Sequence, residues 1–305
     1  MKLLRGCTVG LVMAAICLAG ALTPRRTLAQ GAAAEAARYA QAQSILGVTG
    51  QMQQGAYVFR YPRADLKITW NGETLPTALG FGSWTAFVKM ADAKDMVMGD
   101  LVLLEKEINP VISALAKANI EITALHNHFA GEEPRIMFMH IHGEGAPAAL
   151  AQGIKAALAE TGTPKLAPAA GTPAPLALDT KRLEAVIGHA GQSGGGVFKV
   201  TVGRPGVKVG DLTLTASMGM NTWAAFVGTD ARAHVAGDVA MTADQVNRVI
   251  RTMRSHGLEI VSVHNHMLDE EPRIFFLHYW GTGKPEDLAK AFREALNDIG
   301  DKAAP

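Results

Sequence analysis

Apolar positions along this chain follow a helical spacing in some segments and a strand spacing in others. In the first half, EKEINPVISALAKAN (105–119) has apolar residues three and four apart, which predicts an amphipathic helix. The short apolar runs EITALHNH (121–128) and RIMFMHIH (135–142) predict two strands joined by a turn at AGEEP (130–134). APAALAQGIKAALAETG (146–162) then predicts a closing helix. The order is therefore strands, helix, two strands, helix.

The second half predicts the same order. TADQVNRVIRTMRSHG (242–257) begins with a capping box, Thr242 with Gln245, and ends at Gly257, which together predict a helix. KPEDLAKAFREALNDIG (284–300) predicts the last helix. We therefore predict an α+β protein of two tandem homologous α/β-sandwich repeats. Each has an antiparallel sheet with helices on one face, and a pseudo-twofold axis relates the repeats.

Sequence identity between the two halves supports the duplication. HNHFAGEEPRIMFMHIHGEG (126–145) and HNHMLDEEPRIFFLHYWGTG (264–283) share twelve of twenty residues. Residues 58–88 also align with residues 197–227, which pairs Trp84 with Trp223. The predicted repeats cover 42–162 and 180–300. TPKLAPAAGTPAPLALD (163–179) separates them, and its Pro, Ala and Gly content predicts a linker.

The first 29 residues have the features of an export signal. Lys2 and Arg5 precede the unbroken apolar run CTVGLVMAAICLAGAL (7–22), and Thr27-Leu28-Ala29 provides a small-x-small cleavage site. The apolar run is short for a membrane span. We therefore predict a signal peptide at 1–29, a periplasmic or secreted mature protein, and no transmembrane segment in the mature chain.

Cleavage at this site would change both charge and cysteine content. It would remove four basic residues and no acidic residue, so the formal net charge of +1 would become about −3, which does not favour nucleic acid as a partner. Both cysteines, Cys7 and Cys17, would be lost. Because Ile16 precedes Cys17, the sequence does not favour a lipid anchor. A metal in the mature protein would then need His, Asp, Glu, Met or backbone ligands.

Seven of the ten histidines lie in the two repeated hairpins. Residues two apart in a strand point to the same side of a sheet, so each HxH pair can present both rings together. His and carboxylate ligands suit transition metals. We predict a zinc or copper site, with iron as a further option. The candidate ligands are His126, His128, Glu132, His140, His142, His264, His266, Glu270 and His278.

The number of sites stays open at this point, because the second hairpin has Trp280 where the first has His142. If all four histidines of the first hairpin bind metal, the second hairpin cannot repeat that site. If only the shared His, His, Glu, His set binds, the chain has two equivalent sites. A cleft lined by histidines that holds no metal is the alternative to both.

Three functions agree with these residues, and whether the chain is an enzyme stays undecided. A metal-dependent enzyme would keep one coordination position open, with Glu132 or Glu133 as the catalytic base or a ligand. A metal carrier or sensor would close the site with protein ligands. A metal-free module would bind a small ligand or a partner in the cleft between the repeats. The expected partner is a small molecule or a metal donor.

Several segments resemble one known family. They are ILGVTGQ (45–51), LPTALGFGSWTAF (75–87), VMGDLVLLEKEINPVISAL (97–115), ALHNH (124–128) and EEPRIMFMHIHG (132–143). Together they resemble the DUF1259 (LppY/LpqO) family, and the resemblance covers residues 42 to 299. It implies an exported bacterial protein with a duplicated domain, and it implies no particular activity, since the family's function is unknown.

Overall fold

The computed structural model describes residues 37–90, 94–163 and 176–301. The predicted signal peptide at 1–29 lies outside the described residues. So do residues 164–175 of the predicted linker. No helix among the described residues is long and apolar enough to cross a membrane.

The first repeat has nine strands and three α-helices among the described residues. Its strands are β1 (Gln51–Gln53), β2 (Ala56–Pro62), β3 (Thr69–Trp70), β4 (Glu73–Thr74), β5 (Gly82–Lys89), β6 (Asp95–Leu104), β7 (Glu121–His126), β8 (Glu132–Glu133) and β9 (Ile136–Gly145). Its helices are α1 (37–46), α2 (Ile108–Lys117) and α3 (Pro147–Ala159).

The second repeat has the same succession of elements. Its helices are α4 (Thr180–Ile187), α5 (Ala243–Ser255) and α6 (Pro285–Asp298). Its strands are β10 (Gly191–Gly194), β11 (Val197–Gly203), β12 (Lys208–Val209), β13 (Leu212–Thr213), β14 (Asn221–Gly228), β15 (Ala233–Met241), β16 (Glu259–His264), β17 (Glu270–Glu271) and β18 (Phe275–Gly283). The predicted capping box of Thr242 and Gln245 is present at the start of α5.

Each repeat is built on one antiparallel six-stranded sheet. The strand order is β1-β2-β5-β6-β9-β7 in the first repeat and β10-β11-β14-β15-β18-β16 in the second. The two strands of the histidine hairpin are neighbours in each sheet, and a three-stranded sheet (β4-β3-β8 or β13-β12-β17) lies beside them. The predicted hairpin pairing is therefore confirmed.

Helices cover one face of each sheet, and the other two faces pack against each other. Met139 and Ile141 of β9 are buried in the helix-side core with Leu115 and Ile154. Other side chains from the strands of both repeats form the apolar clusters between the sheets. The result is four layers, helix, sheet, sheet and helix, which confirms the predicted α+β fold with two similar repeats.

The strand register corrects one part of the sequence alignment. Arg60 of β2 lies opposite Trp84, whereas Thr201 of β11 lies opposite Trp223. Thr201 is therefore the structural counterpart of Arg60, although the sequence alignment pairs Arg60 with Lys199. The connection from β2 to β5 is two residues longer than the connection from β11 to β14. An alignment without gaps therefore shifts β11 by two residues relative to β2.

Candidate metal centre

The sheet geometry brings the hairpin histidines onto the faces that meet between the repeats. In the first repeat Ala124 lies opposite His140, and His126 lies opposite Phe138. Directly paired residues of an antiparallel sheet share a face, so His126 and His140 point to the same side. Their counterparts His264 and His278 occupy the matching positions of β16 and β18.

Six histidines, three from each repeat, form one cluster between the two sheets. The rings of His126 and His264 stack with their centroids 3.5 Å apart. Around this pair, the His128 and His278 centroids are 3.6 Å apart, and those of His140 and His266 are 3.8 Å apart. The pseudo-twofold axis exchanges these last two pairs. The hairpins therefore contribute to one shared cluster, an arrangement that differs from both site counts considered from the sequence.

Hydrogen bonds between the repeats hold the hairpins together beside this cluster. Thr123 donates its hydroxyl to the carbonyl of His266 at 2.5 Å, and the Asn265 amide donates to the carbonyl of Thr123 at 2.9 Å. The Ser262 hydroxyl donates to the carbonyl of Asn127 at 2.9 Å. The backbone next to each HxH pair is therefore fixed by the opposite repeat.

In four of the six rings, one nitrogen is bonded to the backbone and the other nitrogen has no partner among the described residues. His278 donates Nδ1–H to the Gly237 carbonyl at 3.1 Å, and His264 donates Nδ1–H to the Asn265 carbonyl at 3.0 Å. His140 and His266 make the corresponding bonds to Gly99 and Gly219. The Nε2 atoms of all six histidines are buried without a hydrogen-bond partner among the described residues. Metal-binding histidines commonly show this division, because the Nδ1–H bond fixes the tautomer that leaves Nε2 free.

The electrostatic environment keeps these rings neutral. Burial lowers the pKa of all six below the ordinary histidine value. Neighbouring imidazoles lower it further for most of them, and the pKa of His278 falls to about 3. A neutral imidazole is the form that coordinates a metal.

Three groups of donor atoms are close enough to hold one ion, with all atoms of a group within 4.8 Å of one another. The groups are His126 with His128 and His278, His126 with His140 and His264, and Asp238 with His264 and His266. Two of the three combine residues from both repeats, and each contains His126 or His264. This stacked pair is therefore the geometric centre of the candidate site.

Asp100 and Asp238 border the cluster on the central strands β6 and β15. Asp100 lies opposite His140 in the sheet, and its carboxylate is 3.8 Å from His128 Nε2. Asp238 lies opposite His278 and is 3.6 Å from His266 Nε2. Burial and the charge of Asp238 raise the pKa of Asp100 to about 8. Their signal in the sequence was the Gly-Asp pair at equivalent places in both repeats.

The structure places His142 and Trp280 away from the six-histidine cluster. His142 is two residues farther along β9 than His140, and its Nδ1 lies 3.0 Å from Glu121 Oε2. Trp280 is buried, with its ring 5.1 Å from Trp70 and 5.6 Å from Phe129. The one histidine that the second hairpin lacks therefore lies outside the centre that the other six form.

The predicted carboxylates lie in the hairpin turns. Glu132 is buried and accepts the N–H of Ile136 at 3.2 Å, and Glu270 accepts the N–H of Ile274 at 3.1 Å. Glu133 is exposed. Within the described part of the chain, none of these acids belongs to the three groups of close donor atoms.

A cavity of about 950 Å³ leads to this centre from the surface. Its buried end is lined by Asp100, Asp238, His128, His140 and His266. A small molecule in this cavity could reach both carboxylates and three of the six rings. Of the other three rings, those of His126 and His278 are buried and that of His264 is half-buried.

The sequence model of one family matches both repeats. It is the family described as Domain of Unknown Function (DUF1259), and it matches residues 40–160 and 181–298. The chain belongs to this family. The predicted resemblance is confirmed, and the two matched regions are the two structural repeats of this DUF1259 protein.

Other comparisons add no functional information. No curated protein matches the chain. A trimeric bacterial microcompartment shell protein, PduB, is similar at 13% identity over 84% of this chain and 95% of that chain, with a TM-score of 0.21. EtuB from Clostridium kluyveri is similar at 9% identity over 72% of this chain and 87% of that chain, with a TM-score of 0.19. Scores this low carry no inference about fold or function.

Proposed function

We propose that this protein binds a transition-metal ion between its two repeats. The supporting observation is the convergence of six histidines whose Nε2 atoms are buried and have no partner among the described residues. A buried polar atom without a partner costs about 1–3 kcal/mol, and a bound ion would remove that cost for each ligand. We assign the ion to His126, His140 and His264. His278 occupies the position of His140 in the second repeat and lies beside the same central pair.

The ligand chemistry favours zinc or copper, with iron as a further option. Imidazole nitrogen suits all three metals, and three or four such ligands match the coordination number that zinc prefers. The predicted ligands Glu132, Glu270 and His142 are not in this set, because none of their atoms belongs to the three groups of close donor atoms in the described part of the chain. His128 and His266 face the aspartates, and they line the cavity together with the ligand His140.

We infer further that the protein is a metal-dependent enzyme rather than a carrier. A carrier needs a site closed by protein ligands, whereas this centre adjoins a cavity of about 950 Å³. A bound ion there would supply Lewis acidity or an activated water. Asp100 would take up and release the proton, because its pKa of about 8 lets it exchange one near neutral pH. Neither Glu132 nor Glu133 lines the cavity, so neither is placed for this role.

We propose that the protein acts outside the cytoplasm, on the basis of the signal-like segment 1–29. Signal cleavage would give a mature chain beginning near Gln30. Mass spectrometry of the intact protein from the periplasm tests this directly. Recovery of the protein in the cytoplasmic fraction alone, with residues 1–29 retained, would contradict it.

The test of metal binding is a reconstitution experiment on the untagged protein. The protein is dialysed against a chelator and then against zinc, copper or iron, and bound metal is counted by elemental analysis. We expect tight uptake of zinc or copper and a melting temperature that falls on stripping, since an ion that binds only the folded state stabilises it. If no metal is taken up and the chelator leaves the melting temperature unchanged, the metal proposal fails.

The cavity also supports a second candidate, a metal-free module that binds a small ligand between the repeats. The two candidates differ in a variant with His126→Ala and His264→Ala. A metal protein loses its ion in this variant. A metal-free module has no ion to lose. Its melting temperature is then independent of chelator and of added zinc, in the parent protein and in the variant.

A further inference from the structure

The outer wall of the cavity carries two cations, Arg60 and Lys199, one from each repeat. Lys199 Nζ lies 3.9 Å from the ring centroid of Trp223. Arg60 lies opposite Trp84 in the sheet, and both tryptophans line the cavity. Each cation is therefore next to an aromatic wall.

Lys199 has no countercharge in direct contact. Among the described residues its Nζ makes neither an ion pair nor a hydrogen bond, although it is half-buried. Burial and the charge of Arg60 lower the pKa of Lys199 to about 8, so it is still cationic at neutral pH. Asp238 acts on it electrostatically from beyond ion-pair distance. Bound anions in proteins commonly lie next to a partly desolvated cation of this kind.

Arg60 adds a second positive charge on the same wall. Its guanidinium is exposed and, within the described part of the chain, makes one hydrogen bond, to Gln53 Oε1 at 3.2 Å. Its remaining N–H groups can form the forked contact that carboxylates and phosphates accept. Positive charge concentrated in a cleft attracts anions more strongly than the same charge on a flat surface.

We propose that the cavity binds a small organic anion, with its acid group between Arg60 and Lys199 and its body along Trp84 and Trp223. This inference rests on the proposed function, because it makes the anion the substrate presented to the histidine centre. The opposite end of the ligand would then lie against Asp100, Asp238 and the histidines. The predicted substrate class is a flat or ring-containing acid, since the aromatic walls favour such a body.

The experiment uses three probes of one shape on the mature protein. Benzoate and phenyl phosphate carry the two forms of acid group, and benzamide is the neutral counterpart of benzoate. Binding is measured by calorimetry, after the metal content of every sample has been determined. The variant is Lys199→Met, and the matched control is Lys117→Met, because Lys117 is exposed on α2.

We expect benzoate or phenyl phosphate to bind at least tenfold more tightly than benzamide. Lys199→Met should reduce anion affinity tenfold or more with its metal content unchanged, and Lys117→Met should bind as the parent does. The better of the two anions identifies the acid group. If Lys199→Met does not fold, Arg60→Gln at an exposed position provides the same comparison.

The outcomes separate this inference from the proposed metal function. A protein that holds metal but binds benzamide as well as the anions would overturn the anion site alone. Unchanged anion affinity in the folded Lys199→Met and Arg60→Gln variants would do the same. A protein that binds anions through Lys199 but takes up no metal would keep the anion site and overturn the metal centre.

Discussion

The metal-free protein should lose stability steeply as the pH falls from 7 to 5.5. The six clustered histidines stay neutral in the folded state, because burial lowers their pKa values. In the unfolded chain each has a pKa of about 6.5. Below that pH the unfolded state binds more protons than the folded state, so the free energy of unfolding decreases. The histidine contribution is complete above pH 6.5 and is lost as the pH falls below it.

The size of the effect follows from linkage. Over this interval each histidine that stays neutral in the folded state lowers the free energy of unfolding by about 1.3 kcal/mol. Six such histidines lower it by at most about 8 kcal/mol. Asp100 acts in the opposite direction. Its pKa of about 8 in the folded state lies above that of a free aspartate, so the folded state holds the proton more tightly than the unfolded state does. As the pH falls from 7 to 5.5, this raises the free energy of unfolding by about 2 kcal/mol. The net loss of about 6 kcal/mol is comparable to the whole stability of many proteins, about 5–15 kcal/mol.

The assay is urea unfolding followed by circular dichroism at several pH values after removal of metal. A variant with His126→Gln and His264→Gln should lose about a third of the histidine contribution to the pH dependence. His256→Gln is the control, because His256 is a surface residue paired with Glu294. Equal urea midpoints at pH 7 and pH 5.5 in the parent protein would refute the account of a neutral buried cluster. Zinc should move the acid transition to lower pH, since protons must compete with the ion.

Three further predictions concern buried residues of the two repeats. Trp280→His should lower the free energy of unfolding by about 3 kcal/mol through lost packing and leave bound metal per chain unchanged; a gain of metal would contradict the placement of position 280. Gly237→Ala should lower the free energy of unfolding by about 1–3 kcal/mol, because a Cβ there would overlap Tyr279 and the Trp223 carbonyl. An unchanged urea midpoint in this variant would contradict the predicted overlap. Arg63→Met should lower the free energy of unfolding by about 3–5 kcal/mol, because it leaves the buried carboxylate of Glu107 without its partner. Thermal unfolding measures this loss, and an unchanged melting temperature would argue against the buried pair.

The repeat, the hairpins and the helix caps could be predicted from the sequence because each depends on neighbouring residues. Pairing between β7 and β9 follows from their closeness in the sequence, with nine residues (127–135) between them, and the start of α5 follows from the Thr242 capping box. The meeting of the two histidine faces depends on how the repeats pack, which no local pattern encodes. One signal was present. The strands β6 and β15 are apolar at nearly every position, which indicates strands buried on both faces.

The site residues show the same limit. The spacing of His126, His128 and His140 predicts ligands on one face, but it cannot say which rings from the other repeat join them. His142 follows the same alternation, yet two further residues along the strand, about 7 Å, place it beside Glu121. Lys199 gave no signal, because its role depends on Trp223 and on Arg60 from the opposite repeat.

The most direct test of the central claim is the metal content of two single variants, His126→Ala and His264→Ala, after reconstitution with zinc. The account places both residues in one centre shared by the repeats. It therefore predicts that either substitution alone abolishes tight zinc binding and that circular dichroism shows a folded protein in both cases. If each variant keeps half of the parent's zinc, the repeats hold separate sites. If both keep all of it, the cluster is not the metal centre.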